Sequence, residues 1–194
     1  MKQKINRAEF YKIVRREFGR LTQAQVNGFE AFLNEWERVG YTDIRWLAYI
    51  FATVWHETAR TMQPIEEFGR GRGKRYGIKQ KHNRESYTNP DVIYYGRGHV
   101  QLTWYENYEL MGRLLGVDLL NKPELALQMD ISVRITFEGM TRGSSSFGDF
   151  TGRSLEQYFN SRVDDPINAR RIINLLDKAE LIASYHYKFL AALS

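Results

Sequence analysis

Apolar residues in the first third of the chain recur every three or four positions, the spacing of amphipathic helices. Phe10, Ile13, Val14 and Phe18 mark a first helix, with Gly19 as its stop. Thr22, with Gln25 three residues on, has the form of a capping box. A second helix should start there and carry Val26, Phe29, Phe32, Leu33 and Trp36 along one stripe to about Gly40. Asp43 is placed to cap a third, through Trp46, Leu47, Ile50, Phe51, Val54 and Trp55. That helix is apolar around much of its circumference and belongs at the centre of the fold.

The pattern then breaks between about Thr61 and Tyr95, where Gly69, Gly71, Gly73 and Gly77 alternate with arginine and lysine and Asn89-Pro90 marks a turn. Long loops inside compact proteins are usually functional or disordered. Short strand pairing is expected between Glu66–Phe68 and His99–Leu102. Helical spacing returns over Trp104–Leu115, stopped by Gly116, and Pro123 suits the first position of a short helix over Glu124–Gln128. Further helices are expected over Ile131–Met140, closed by a Gly143-Ser144-Ser145-Ser146 turn, and over Leu155–Phe159 and Ile167–Leu175. A last helix, capped by Asp177, should bury Leu181, Ile182, Tyr185, Phe189 and Leu193. The expected fold is mainly α (α+β in the wider sense): a single helical domain over residues 1–194, with a small β or irregular element lining an active-site cleft.

Composition narrows the chemistry. At 194 residues the chain is long enough for one well-cored domain. It has no cysteine, so disulfides and thiolate metal sites are excluded, and its four histidines lack metal-ligand spacing. His56-Glu57-Thr58-Ala59-Arg60 opens like a zinc-protease helix, but Arg60 stands where the second histidine must be. No cofactor or metal is expected. No apolar run approaches a membrane span, and Met1–Arg7 has charge but no apolar stretch behind it. The expectation is a monomer without a secretory signal.

The net charge of +5 favours an anionic partner, and the excess is gathered in Arg70, Arg72, Lys74, Arg75, Lys79, Lys81 and Arg84. With Tyr76 and Tyr87 nearby, this loop has the ingredients of a nucleic-acid-binding segment. It is no P-loop, because Arg75 follows Gly73-Lys74 and no glycine sits five positions before Gly73.

The chemistry-bearing residues favour a different reading. Cleaving a glycosidic bond takes one protonated carboxyl and a second carboxylate that activates water or attacks directly. Glu57 follows the apolar Phe51–Trp55 run, where desolvation is expected to favour its protonated form. The second acid should be Glu66 or Glu67, whose side chains point to opposite sides of an extended segment, with Glu85 a third candidate. Tyr94, Tyr95, Trp104 and Tyr105 are candidates for stacking on sugar faces. Gln101 and Asn107 have amides able to bond sugar or fix the loop. Gly96 and Gly98 would let backbone approach a sugar, and Arg97 would bind substrate or orient a carboxylate. His56 reads as a structural neighbour of the glutamate.

His56-Glu57-Thr58, Tyr95-Gly96-Arg97-Gly98, Gln101-Leu102-Thr103, Asn107-Tyr108 and Leu115-Gly116-Val117-Asp118-Leu119-Leu120 with Pro123-Glu124-Leu125 occur in a telling order and spacing. Over roughly Ala48 to Leu193 the chain resembles the family 19 glycoside hydrolases, the class I-type chitinases and related phage endolysins, and its compactness is more similar to the phage type. The resemblance implies a lysozyme-like helical fold and an inverting, cofactor-free hydrolase. In it Glu57 is the general acid, Glu66, nine positions later, the second carboxylate ahead of Glu67, and Thr103 a positioner of water. Asn174 matches a cleft residue, but Leu175 follows where the family carries glycine, and His99 replaces proline or tyrosine. With the basic loop, the implied substrate is bacterial peptidoglycan, cut between N-acetylmuramic acid and N-acetylglucosamine, by an enzyme held in the host bacterial cytoplasm until released to the wall or carried in a virion. Chitin is the alternative, and a wall-binding module without catalysis a third possibility, which the retained Glu57, Glu66, Glu67 and Thr103 oppose.

Overall fold

The computed structural model describes residues 4–142 and 150–194, so the turn expected over Gly143–Ser146 lies outside the described residues. Helix α1 (Arg7–Phe18) starts at Asn6, whose side chain accepts from the Glu9 N–H, and stops at Gly19. The Thr22–Gln25 capping box forms in full: Gln25 Oε1 accepts from the Thr22 N–H at 2.7 Å and Thr22 Oγ1 from the Gln25 N–H at 3.2 Å. It opens α2 (Gln23–Val39), which ends at Gly40 in the left-handed region that glycine enters without strain. Asp43 caps α3 (Ile44–Glu57), in which every residue from Leu47 to Trp55 is buried. These boundaries follow from local bonds, and they fall where the sequence places them.

Helix α3 is the axis of the core. It packs against α7 (Ala179–Leu193) and α5 (Met129–Thr141), while α1 lies on α7 and α2 on α5. Phe29 is the hub of the aromatic packing, with the rings of Phe10, Phe51, Trp55 and Phe189 centred 5.1–6.0 Å away. Helix α4 (Tyr105–Leu115) ends at Gly116 as expected, and α6 is one turn over Leu155–Tyr158. The segments expected after Pro123 and after Ile167 are single 3-10 turns, Pro123–Leu127 and Asn168–Ile172.

Two expectations for the last helix are corrected. Asp177 does not cap it: Lys178, at φ 57°, precedes the first turn without a side-chain cap. The Asp177 carbonyl instead accepts from Arg170 Nε at 2.8 Å. Leu181 is 41% exposed, because Ile182, Tyr185, Phe189 and Leu193 already supply the buried face.

The β element is smaller and shifted from the expected register. Strand β1 (Ile65–Glu66) pairs antiparallel with β2 (Arg97–Gly98), matching Ile65 to Gly98 and Glu66 to Arg97. Arg97 and Leu102 exchange backbone hydrogen bonds and close a tight loop. Phe68 lies outside the pairing.

Two histidines are fully buried. His99 is wedged between Ser132 Oγ (2.7 Å from Nδ1) and the Met62 carbonyl (3.3 Å from Nε2). A carbonyl only accepts, so Nε2 carries the proton and the ring is neutral. His186 stacks on Phe159 and has no hydrogen-bond partner on either nitrogen among the described residues. Burial pushes both down to about 4 from the usual 6.5. In that interval the unfolded chain binds protons that the folded one refuses, so stability falls with acidification from about pH 6.5 to about pH 4. The loss approaches about 1.4 kcal/mol per pH unit for each histidine. We expect the thermal midpoint to drop steeply across this window, and His186→Phe to flatten the slope; a midpoint indifferent to pH there would contradict the burial argument.

Candidate active site

Glu57 is the last residue of α3, at the negative end of the helix dipole, where a carboxylate is disfavoured. The structure supplies a counter-charge that the apolar approach of the helix did not announce. Arg170, only 2% exposed, donates from Nη1 to Glu57 Oε1 at 2.7 Å, while the Glu57 side chain stays 18% exposed. Glu57 therefore sits against a guanidinium, not in the apolar pocket expected from Phe51–Trp55. Nothing in the Ile167–Leu175 run marks Arg170 out, since its partner lies in a distant helix.

The chain leaves α3 through a strained turn. Ala59, Arg60 and Met62 take φ values of 49°, 69° and 56°, where side chains are unfavourable and strain is held by surrounding structure. Thr58 Oγ1 donates to the Val54 carbonyl and accepts from the Met62 N–H. Helix α2 clamps the turn from outside: Gln25 donates to the Arg60 carbonyl and Gln63 to that of Ala24. Gly28 completes the fit, as a Cβ there would stand 2.2 Å from the Met62 carbonyl oxygen. This packing delivers the chain into β1.

The two candidate acids point to opposite sides, as an extended segment requires. Glu66 Oε1 accepts from the Tyr95 hydroxyl at 2.6 Å and Oε2 from Arg70 at 2.7 Å. Those bonds hold its carboxyl below the usual range, the Tyr95 hydroxyl contributing most. Glu67 Oε1 accepts from the Tyr76 hydroxyl at 2.8 Å and Oε2 from the Gly96 N–H at 3.0 Å. The Tyr76 ring in turn meets Trp104 edge-on at 5.2 Å. Glu85 is exposed within the basic loop.

That turn is strained as well, with Gln101 at φ 55° and Trp104 at φ 78°. Thr103 Oγ1 spends its proton on the Gln101 carbonyl at 2.7 Å, which leaves its lone pairs to accept from a water. Gln101 Nε2 donates to the carbonyls of Ile65 and Gly98, and Asn107 Nδ2 to that of Thr103. Both amides fix the loop. Gly96 leaves room for Gln101, whose Oε1 a Cβ would approach to 2.8 Å.

Other expected contacts are committed inside the protein. Arg97 is buried over the Tyr95 ring at 3.5 Å and donates to the Ile93 and Tyr95 carbonyls and the Tyr108 hydroxyl. Tyr94 and Tyr105 are buried too, and Tyr105 is bonded to Thr88. Trp104 is stacked by His82 at 3.9 Å. His56 is half-buried in the last turn of α3, and Asn174 is exposed just after the 3-10 turn that carries Arg170. A cavity of about 640 Å³ between α2 and α5, lined by Glu35, Arg38, Met129 and Arg134 among others, contains none of these residues. The described residues include no group of histidines and acids able to hold a metal.

Glu57 is held by an arginine, Glu66 by a tyrosine and an arginine, and Glu67 by a tyrosine and a backbone N–H, while Thr103 has lone pairs left to accept. Several findings place the chain among known proteins. Endochitinase EP3 of Arabidopsis thaliana is 44% identical over 90 residues, 45% of this chain and 31% of that one. The chain spans about a third or less of the length of the first curated relatives it matches. Chitinase C of Streptomyces griseus superposes over 97% of this chain and 76% of its own, with a TM-score of 0.64 at 20% identity. A class IV chitinase of Zea mays covers 97% and 92%, with a TM-score of 0.61 at 20% identity. At that identity the likeness establishes the fold. The chitinase class I family model matches residues 25–141, which spans α2 to α5 and includes Glu57, Glu66, Glu67 and Thr103. The chain therefore belongs to glycoside hydrolase family 19, the chitinase class I family.

Proposed function

We propose that this chain hydrolyses β-1,4 bonds in an N-acetylglucosamine-containing polymer by an inverting mechanism, with Glu57 as proton donor. The observation that carries the proposal is the Glu57–Arg170 pair. As the glycosidic bond breaks, Glu57 gives its proton to the leaving oxygen and becomes a carboxylate. Arg170 meets that charge as it develops, and a group aimed at charge formed in the transition state lowers the barrier. On the other face of the sugar a carboxylate takes a proton from water while the water oxygen bonds to the anomeric carbon. Inverting sites hold the two carboxyl groups about 6.5–9.5 Å apart for that water.

For the second carboxylate, the geometry favours Glu67 over Glu66, reversing the order that the nine-residue spacing implied. A base is most effective when its proton affinity is not depressed, and Glu66 is held low by Tyr95 and Arg70. Glu67 is tied through the Tyr76 hydroxyl to a ring that packs on Trp104, the residue after Thr103. Glu67→Gln is expected to cost ~100-fold or more in kcat, and Glu66→Gln less than about tenfold. The reverse ranking would return the role to Glu66.

The substrate has two readings, each with its own support. Two curated relatives of Arabidopsis thaliana that the chain matches over about half its length are named endochitinases, which supports chitin. The basic residues of the 70–84 loop support peptidoglycan, whose lactyl and peptide carboxylates make it an acidic polymer. Digesting chitin oligomers and purified peptidoglycan in parallel, with mass spectrometry of the new reducing ends, separates them. Products from chitin alone would remove the muramidase reading, and products from neither would remove the hydrolase proposal.

A further inference from the structure

The lysines and arginines of the basic loop divide into two sets. Arg75, Lys79 and Lys81 are spent on holding the loop down. Arg75 donates to the Lys81 and His82 carbonyls and lies over Trp104; Lys79 donates to the Pro90 carbonyl; Lys81 lies over the Tyr105 ring at 4.4 Å. The Tyr87 hydroxyl donates to the Tyr76 carbonyl, and His82 stacks on Trp104 with Nδ1 3.2 Å from Glu106. Gly71 and Gly77 are in backbone contact so close that a Cβ on Gly77 would stand 1.8 Å from the Gly71 oxygen. The loop is thus a built platform anchored on the Thr103 turn.

The second set faces outward. Arg72, Lys74 and Arg84 are exposed, and no carboxylate of the described residues lies within ion-pair distance of them. Arg70 shares Glu66 but is itself 67% exposed. Between these cations and the candidate acid Glu67 stands Phe68, fully exposed although most large apolar side chains of this protein are buried. Backbone turns follow one another through this stretch, from Arg70 N–H to Glu67, Arg72 N–H to Gly69 and Lys74 N–H to Gly71. Gly69, Gly71 and Gly73 all have φ between 76° and 84°. A chain that spends three left-handed glycines and anchors the loop at its base, yet leaves a phenylalanine and three cations in solvent, has built a surface.

We propose that Phe68, Arg72 and Lys74 form a binding surface, continuous with the active site, for a carboxylate-bearing glycan strand. The ring offers a face for a sugar and the cations meet its pendant carboxylates. This rests on the glycan-hydrolase reading above and adds that acidic polymers are selected outside the reacting centre. Charge decides the partner: Arg72 and Lys74 are exposed cations suited to carboxylates, and the exposed Phe68 directly follows the candidate acid Glu67 in the chain. A membrane surface is disfavoured, since Phe68 and Ile78 are the only large apolar side chains exposed on the loop, far less than an interfacial anchor needs.

The test uses the full chain and Arg72→Glu/Lys74→Glu, which leaves every residue of the proposed machinery in place. Co-sedimentation with purified peptidoglycan and with chitin is measured at low salt and at about 0.3 M added salt, where charges are screened within less than ~10 Å. The double variant is expected to bind peptidoglycan about tenfold more weakly than wild type at low salt, with chitin binding and the thermal midpoint unchanged. High salt should erase the difference. Phe68→Ala should weaken both polymers. Equal loss on chitin and peptidoglycan, or no loss on peptidoglycan, would overturn the proposal. So would tighter binding to duplex DNA or to phosphatidylglycerol vesicles than to peptidoglycan. Binding is read without turnover, so a wild type that binds but cleaves nothing sinks the hydrolase reading and spares this surface.

Discussion

Glu57→Gln is expected to lower kcat by at least ~100-fold with KM little changed, the signature of a lost proton donor. The amide keeps the size of the side chain and still accepts from Arg170 Nη1, so α3, α7 and the 3-10 turn between them should stay in place. What disappears is the proton for the leaving oxygen and the negative charge that the guanidinium is waiting to meet. A substrate with a strongly acidic leaving group needs no such proton, and on it the variant should recover most of its rate. Steady-state kinetics on the two substrate types check this. Wild-type turnover of an ordinary substrate by the variant would remove Glu57 from the reaction.

Arg170→Leu is expected to cost about 3 kcal/mol of stability and about tenfold or more in kcat. The stability figure is the lower end, about 1.5 kcal/mol each, for losing two hydrogen bonds from a charged donor. Two bonds go at once, since Arg170 also donates from Nε to the Asp177 carbonyl just before α7. Urea unfolding gives the first number. For the second, the loss should fall on kcat and leave KM near its original value, as expected for a charge that matters in the transition state. Arg170→Lys separates the roles: it restores a positive charge without the planar fork, and should recover activity better than Leu. Equal kcat in the wild type and both variants would make Arg170 a purely structural strut.

How much of this was legible beforehand depended on distance along the chain. The end of α1, both ends of α2 and the start of α3 follow from Gly19, Thr22, Gly40 and Asp43, all bonded within a few residues. The position of Glu57 after an apolar run was readable for the same reason. The partner of Glu57 was not, because Arg170 reaches it from 113 residues away. Strand register was missed slightly for a related cause: with two-residue strands, pairing is set by the strained Gln101 turn and by Gly96 and Gly98, not by alternation of apolar residues. Arg97, Gln101 and Asn107 read as sugar contacts because their chemistry permits it, yet the fold spends them on backbone carbonyls.

The amino-acid order alone determines the helical periodicity, the Thr22 and Asp43 caps, the central apolar α3, the glycine-spaced basic loop and the family. Caps, turn glycines and helical periodicity act through bonds between near neighbours, so their outcome is written locally. Only the folded chain decides that Glu57 lies on Arg170, that Glu66 and Glu67 face different partners, and that some loop cations anchor it while others meet solvent. Those outcomes depend on which distant backbone groups and charges are brought together when α3 packs on α7 and the Thr103 turn closes over β1. Burial then sets what each side chain has left to offer.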